Sequence, residues 1–306
     1  MLVIFSLTFI FPKAALAYSG RVIAMGEAFT GLADDPSAVW WNPAGLPQIK
    51  NSQIIYTRLL GDRDVDYFGP DDFAAVSIPF GDKKEGALGF AVYSDQQLTT
   101  ISYQNNAYSG YLINRLGLIS YSQILYEDFS VGFSVKFAQR MKYFKLNGQN
   151  ISSEAQVSAY DFGIHWKVAR DIYLGLLVQN ANAPEYTIFE KKEPLFANIR
   201  PGIVWQLQPN AKVVLDIDDI FGETDGQNPN IAMNVSVGAE FKFYNQGCLR
   251  IGVIRMNSAT PSERMGTIGF GIGEGNYSVD FAAAYPVSKD SSEKRLFTFL
   301  SVSYTF

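Results

Sequence analysis

Charged and polar side chains capable of chemistry recur at two-residue spacing from residue 136 to residue 280 of this 306-residue chain. Lys136, Arg140, Asp161, His165 and Lys167 alternate with apolar neighbours, as do Arg200, Lys212, Asp216, Asp218, Glu240, Lys242, Arg250 and Asp280. Three kinds of chemistry are conceivable. An arginine can hold a carboxylate headgroup through paired N–H donors, and Arg140 and Arg200 are the preferred candidates. His165, the single histidine, shares a face with Asp161 and would make a general base if a serine stood opposite; no serine is marked out for that role. Asp216, Asp218 and Asp219 could bind calcium or simply form the acidic end of a hairpin. Against all three stands a plainer reading, in which opposite charges on neighbouring segments neutralise one another inside a filled interior and pin Glu27, Asp34 and Asp35 of the N-terminal segment. No metal-ligand spacing and no phosphate-binding loop is present, and no metal, cofactor or enzymatic activity is expected.

The elements that carry these residues are strands. In "DFSVGFSVKFAQR" (128–140), Phe129, Val131, Phe133, Val135 and Phe137 share one face while Ser130, Gly132, Ser134 and Lys136 share the other. In "AYDFGIHWKV" (159–168) Tyr160, Phe162, Ile164, Trp166 and Val168 oppose Asp161, Gly163, His165 and Lys167. This is the period of a pleated strand with two unlike environments. Fourteen such strands are expected, near 52–59, 72–80, 86–94, 115–125, 128–140, 155–168, 171–180, 196–206, 209–218, 233–244, 247–256, 265–273, 276–285 and 296–306.

The connections alternate in length. Long ones fall near 60–71, 95–114, 141–154, 181–195, 219–232, 257–264 and 286–295; tight ones fall at 81–85, 126–127, 169–170, 207–208, 245–246 and 274–275. Segregated loop lengths, outward apolar faces and inward polar, Gly-containing faces predict an antiparallel transmembrane barrel of the outer-membrane type. The sheet must close, because an open edge in hydrocarbon would leave backbone groups unsatisfied. The first seventeen residues, ending Ala15-Leu16-Ala17, have the form of a secretory leader. Net charge −5 without a basic run is no footprint for nucleic acid, and one cysteine allows no intrachain disulfide framework.

Residues 18–50 differ from the barrel segment 51–306. "RVIAMGEAFTGLAD" has helical spacing; Asp35-Pro36 reads as an N-cap with proline at the first helical position. "SAVWW" follows and Pro43 stops it. Fourteen strands enclose more space than their own side chains fill, so this unit is expected to plug the lumen. The stretch "AMGEAFTGLADDPSAVWWNPAGL" (24–46), with Asp34, Asp35, Trp40, Trp41, Asn42, Pro43, Ala44 and Gly45, resembles the N-terminal motif of the FadL-type superfamily of fourteen-stranded outer-membrane proteins. Its spacing is also similar to that of the PorV branch. The final Phe306 on an amphipathic strand resembles the signal by which outer-membrane assembly machinery takes up such chains.

The resemblance implies two functions. A FadL-type barrel passes hydrophobic small molecules such as fatty acids from outer loops into the lumen, then sideways or past a rearranged hatch. A PorV-type barrel instead serves as shuttle or scaffold for secreted or surface proteins, and the short outer loops favour that role. Inward apolar residues favour transport. Leu59, Tyr93, Phe297 and Phe299 break the polar-lumen rule, and Ile101 and Tyr103, with Leu98, Tyr108 and Tyr111, add apolar surface on the second outer connection. They are expected either to form an opening for a hydrophobic ligand or to serve as rim aromatics and packing for the hatch.

Overall fold

Alternation of this kind resolves, in a computed structural model that describes residues 19–60, 72–104, 106–218, 220, 234–243, 247–256, 264–287 and 296–306, into one closed sheet. The expected leader, Asp219, the turn at 245–246 and most of the connections 60–71, 219–232, 257–264 and 286–295 lie outside those residues.

The barrel strands are β1 (Gln53–Leu60), β2 (Asp72–Phe80), β3 (Gly86–Tyr103), β4 (Asn106–Tyr126), β5 (Phe129–Leu146), β6 (Gln149–Ala169) and β7 (Ile172–Gln179). They continue, after a small hairpin of β8 (Glu185–Ile188) and β9 (Lys191–Pro194), as β10 (Asn198–Gln208), β11 (Ala211–Asp218) and β12 (Asn234–Phe243). β13 (Gly247–Ile254), β14 (Met265–Glu274), β15 (Tyr277–Pro286) and β16 (Phe297–Thr305) complete the circuit. Leaving out β8–β9, fourteen antiparallel strands close where β1 pairs with β16, from Gln53 opposite Thr305 to Leu60 opposite Thr298. Closure removes every sheet edge from the bilayer.

The outward faces carry exposed Ile54, Phe90, Ile119, Phe162, Ile251, Ile268 and Phe270, with Trp166, Trp205 and Tyr277 among the flanking aromatics. Such a surface would aggregate in water; its partner is lipid, and the barrel spans a membrane of the outer-membrane kind.

Three of the expected long connections are built differently. Residues 95–114 and 141–154 are not loops but continuations of strand, turning only at Gln104 and at Asn147-Gly148. β3 and β4 stay paired up to Tyr103 opposite Asn106, and β5 and β6 up to Leu146 opposite Gln149. A membrane needs about 9–11 tilted residues per strand. The 18 to 21 residues of β3–β6 therefore carry a four-stranded wall well past the outer interface. The connection 181–195 contains the β8–β9 hairpin, which leans on the inner face of that wall through Tyr186 and Ile188.

The N-terminal segment sits inside the barrel with nearly every residue from Ser19 to Ile49 buried. Only Gly20–Ala24 of the expected long helix is helical (α1); its N-cap is Ser19, whose hydroxyl accepts from the Val22 N–H. Gly26 and Glu27, both at positive φ, end it. The second helix, α2, is Ala38–Trp41, followed by a 3₁₀ segment Pro43–Gln48. Asp35 is not its N-cap but accepts from the N–H and hydroxyl of Ser37, which holds the cap position.

The plug reaches the wall backbone to backbone. Three glycine pairs face each other across strands on the inner surface: Gly132 with Gly163, Gly175 with Gly202, and Gly238 with Gly252. A Cβ on Gly175 would lie 2.1 Å from the Thr30 carbonyl oxygen, and one on Gly238 2.1 Å from that of Met25. These positions are glycine because nothing larger fits between plug and wall. Gly175→Val should thus leave a heat-modifiable, folded barrel whose plug is displaced, seen as a rise in planar-bilayer conductance and in sensitivity to large hydrophilic antibiotics. Unchanged conductance would mean that the contact is not needed for sealing.

Candidate functional site

The motif "WWNPAG" is the keystone of the seal. Asn42 extends its side-chain N–H donors to the carbonyls of Thr30 and Ile164, each 2.9 Å away, and its Oδ1 accepts from the Ala44 N–H at 3.1 Å. One side chain thereby joins two plug segments to β6. Ser130 on β5 donates to the Ala44 carbonyl at 2.6 Å. Gly45 lies so close to Ala33 that a Cβ would stand 2.2 Å from its carbonyl oxygen. Trp40 covers the Lys136 ammonium at 4.8 Å and meets Tyr93 edge to face at 5.9 Å; Trp41 covers the Arg200 guanidinium at 4.7 Å. The two tryptophans thus cap buried cations, a geometry that adds attraction beyond simple filling.

The inward charges Lys136, Asp161, Arg200, Asp216 and Asp218 are all engaged. Lys136 pairs with Asp161 at 2.8 Å and donates to Asn180 at 3.0 Å. Arg200 pairs with Asp218 at 2.8 Å. Asp216 accepts from the N–H groups of Phe29 and Thr30, at 2.9 and 2.8 Å. Asp216 and Asp218 therefore hold plug and wall rather than present a free acidic end.

His165 is not oriented by Asp161. Its Nε2 lies 3.0 Å from the Gly31 carbonyl and 3.2 Å from the Gln48 amide nitrogen, a second tie to the plug. The serine–histidine–carboxylate arrangement is not assembled.

A latch missed in the sequence centres on Arg21, in α1. Its Nε donates to Glu240 at 2.9 Å and its Nη1 to Asp34 at 2.6 Å, with Asp35 at 3.5 Å. Arg250 reaches Glu240 at 2.7 Å and Asp280 at 2.5 Å, and Lys212 stands 3.6 Å from Asp34 and 3.5 Å from Glu240. Asp34 and Asp35 were expected to be pinned by wall cations; the larger part of that role falls to a cation of the plug itself.

The inward apolar residues divide into two groups. Leu59 and Phe299 stand opposite each other at the closure. With Phe297, and with Phe73 and Tyr93 on β2 and β3, they pack into one core continuous with Trp40 and the rest of the plug. Ile101 and Tyr103 belong instead to the projecting wall. There Tyr103 and Phe144 lie 5.4 Å apart, Tyr108 stacks on Phe144 at 4.6 Å, and Phe189 from the β8–β9 turn closes on both Tyr103 and Phe144.

A polar chain joins the two groups. The Tyr93 hydroxyl donates to Asp95 at 2.9 Å, Asn114 donates to Asp95 at 3.3 Å, and Arg140 donates to Asn114 at 3.0 Å. Arg140 also pairs with Glu193 of β9 at 3.3 Å, beside Lys142 on the same carboxylate, and its guanidinium covers the Tyr186 ring at 4.5 Å. Burial pushes the Tyr186 phenol above its ordinary pKa, and nearby Arg140 opposes that shift. A ligand arriving from outside would meet this hairpin and its aromatics before the plug.

No protein-family model and no curated protein matches the chain. Solved structures do. The toluene transporter TbuX of Ralstonia pickettii superposes with a TM-score of 0.69 at 14% identity, over 95% of this chain and 98% of that one. The toluene transporter TodX of P. putida gives 0.65 at 14% identity, over 95% and 99%. A FadL homologue of Pseudomonas aeruginosa gives 0.61 at 14%, over 92% and 97%. At that identity the likeness is one of fold: a fourteen-stranded barrel of nearly the same extent.

Arg21→Ala should loosen plug seating by about 3 kcal/mol, the low end for breaking a buried pair because Arg250 stays on Glu240. Protease cleavage within residues 19–49 of the detergent-folded barrel reads this directly, and Arg21→Lys should fall between. Equal protection in all three proteins would show that the latch does not hold the plug.

Proposed function

We propose that this protein is an outer-membrane channel for passive movement of hydrophobic small molecules, as expected for a fold shared with toluene transporters. The observation that carries the reading is the apolar seam at the barrel closure. Leu59, Phe73, Phe297 and Phe299 turn inward there and pack against the plug, giving the lumen an apolar face where its other inward positions are polar or small. Above it stand the aromatics Tyr103, Tyr108, Phe144 and Phe189. Together they supply greasy surface at two levels of one route, the upper as first contact and the lower beside the plug.

The charges favour an uncharged cargo. Arg140 and Arg200, the two headgroup candidates, each carry a carboxylate partner already. A fatty acid would have to displace Glu193 or Asp218, whereas a neutral hydrocarbon needs only apolar contact and displacement of water. From β1 through β6 the pairing of neighbouring strands is uninterrupted over the described residues at the level of Phe73 and Tyr93. Passage along the seam between plug and wall is therefore the route that requires least breakage, with the Tyr93–Arg140 chain linking hairpin and plug.

The test is uptake of radiolabelled toluene and, separately, of oleate by cells that depend on this barrel. Wild type should speed toluene uptake. Phe299→Asp, which places a charge in the seam, should cut it by roughly tenfold while the heat-modifiable gel shift shows a folded barrel. Uptake unchanged by Phe299→Asp would remove the seam from the route. Toluene uptake no faster than in cells lacking the barrel would favour the scaffold role, with the projecting wall as its binding surface.

A further inference from the structure

The outer surface of β1–β6 carries a groove of about 620 Å³, whose lining also includes the inward positions Phe73, Tyr93, Leu116, Ala138 and Val157. Its floor follows one cross-strand row, in which Tyr56 pairs with Ala74, Ala74 with Val92, Val92 with Gly117, Gly117 with Phe137 and Phe137 with Ser158. Tyr56, Val92 and Phe137 are exposed and stand up from the wall, while the small residues between them leave it hollow. A Cβ built on Gly117 meets nothing within 4 Å, unlike the glycines beneath the plug. On the periplasmic side the next outward row is apolar, with Val76, Phe90, Ile119, Val135 and Tyr160 paired in order.

On the other side the wall becomes polar within one outward step. Asp72, Ser94, Arg115, Gln139 and Gln156 pair in order and also line the groove. This places the groove at the outer edge of the apolar belt, the depth at which lipid headgroups lie. Asp72 is engaged by Arg58, at 3.6 Å, and by the Tyr56 hydroxyl. Arg115 is exposed and has no hydrogen-bond or ion-pair partner among the described residues. A guanidinium left open at that depth, above a trough lined by small residues, is complementary to a phosphate carried on an acyl chain.

We propose that this groove is a binding site for an anionic phosphorylated lipid of the surrounding leaflet, with an acyl chain over Gly117 and the phosphate on Arg115. Strand pairing behind the groove is unbroken over the described residues, and the proposal does not rest on the transport reading. The site would fix one lipid on the wall that bears the projecting sheet.

Native mass spectrometry of the full barrel in detergent, titrated with dioleoyl phosphatidylglycerol or with zwitterionic dioleoyl phosphatidylcholine, tests it. The first phosphatidylglycerol should bind at a concentration lower by on the order of tenfold, the effect of one charge-assisted contact. Arg115→Gln should abolish that preference, and Gly117→Leu, which fills the trough on a lipid-facing surface, should remove the tight first adduct. Folding of each variant is checked by the heat-modifiable gel shift. Equal retention of the two lipids by wild type, a preference that survives Arg115→Gln, or a tight adduct that survives Gly117→Leu would each overturn the proposal.

Discussion

The structure depends on contact between two backbones, that of the plug and that of the wall. A peptide chain buried in a lumen must satisfy its N–H and C=O groups without the regular partners of a sheet. Here that is possible because the wall is stripped to glycine where the plug crosses it and supplies side-chain acceptors and donors beside those glycines. Asp216 takes two plug N–H groups, while Ser130 and His165 each reach a plug carbonyl. Asn42 closes the set from the plug side. Enlarging a glycine or removing one of these groups attacks the same seal.

The polar lumen takes its character from this arrangement. Charges that would line a conduit in an open pore are here paired, often with a tryptophan over the cation. Removing charges from water is costly unless each meets its partner in good geometry. The pairing of Lys136 with Asp161, Arg200 with Asp218, and Arg21 with Asp34 and Glu240 meets that requirement. These inward ions are therefore committed to one another and to the plug.

The apolar part of the fill has a different distribution. It lies at the closure seam and in the aromatic cluster of the projecting wall, and the Tyr93–Asp95–Asn114–Arg140–Glu193 chain runs between them. The wall owes its height to strands about twice the length the membrane requires. The β8–β9 hairpin is held over the lumen by that height, which gives the outer approach to the plug an aromatic surface even though the turns of the two tall hairpins are short.

Period-two alternation was enough to determine the barrel, its strand count and the side of most residues in the strands it marked, because a lipid face and a lumen face are chemically opposite and a pleated strand alternates between them. The punctuated, helix-forming opening segment likewise marked the plug, and Asn42 to Gly45 stood out before their contacts were known. Asn147-Gly148 was a legible hairpin turn that the polar composition around it concealed. The hairpin turn at Phe189-Glu190 was not legible, since both residues adopt positive φ without the asparagine or glycine that usually announces it. Nor could the sequence determine which charge meets which, or that Leu59, Tyr93 and Phe299 pack with the plug while Ile101 and Tyr103 belong to the wall above. Those partnerships join residues far apart in the chain, and only the register of a closed barrel around its plug brings them together.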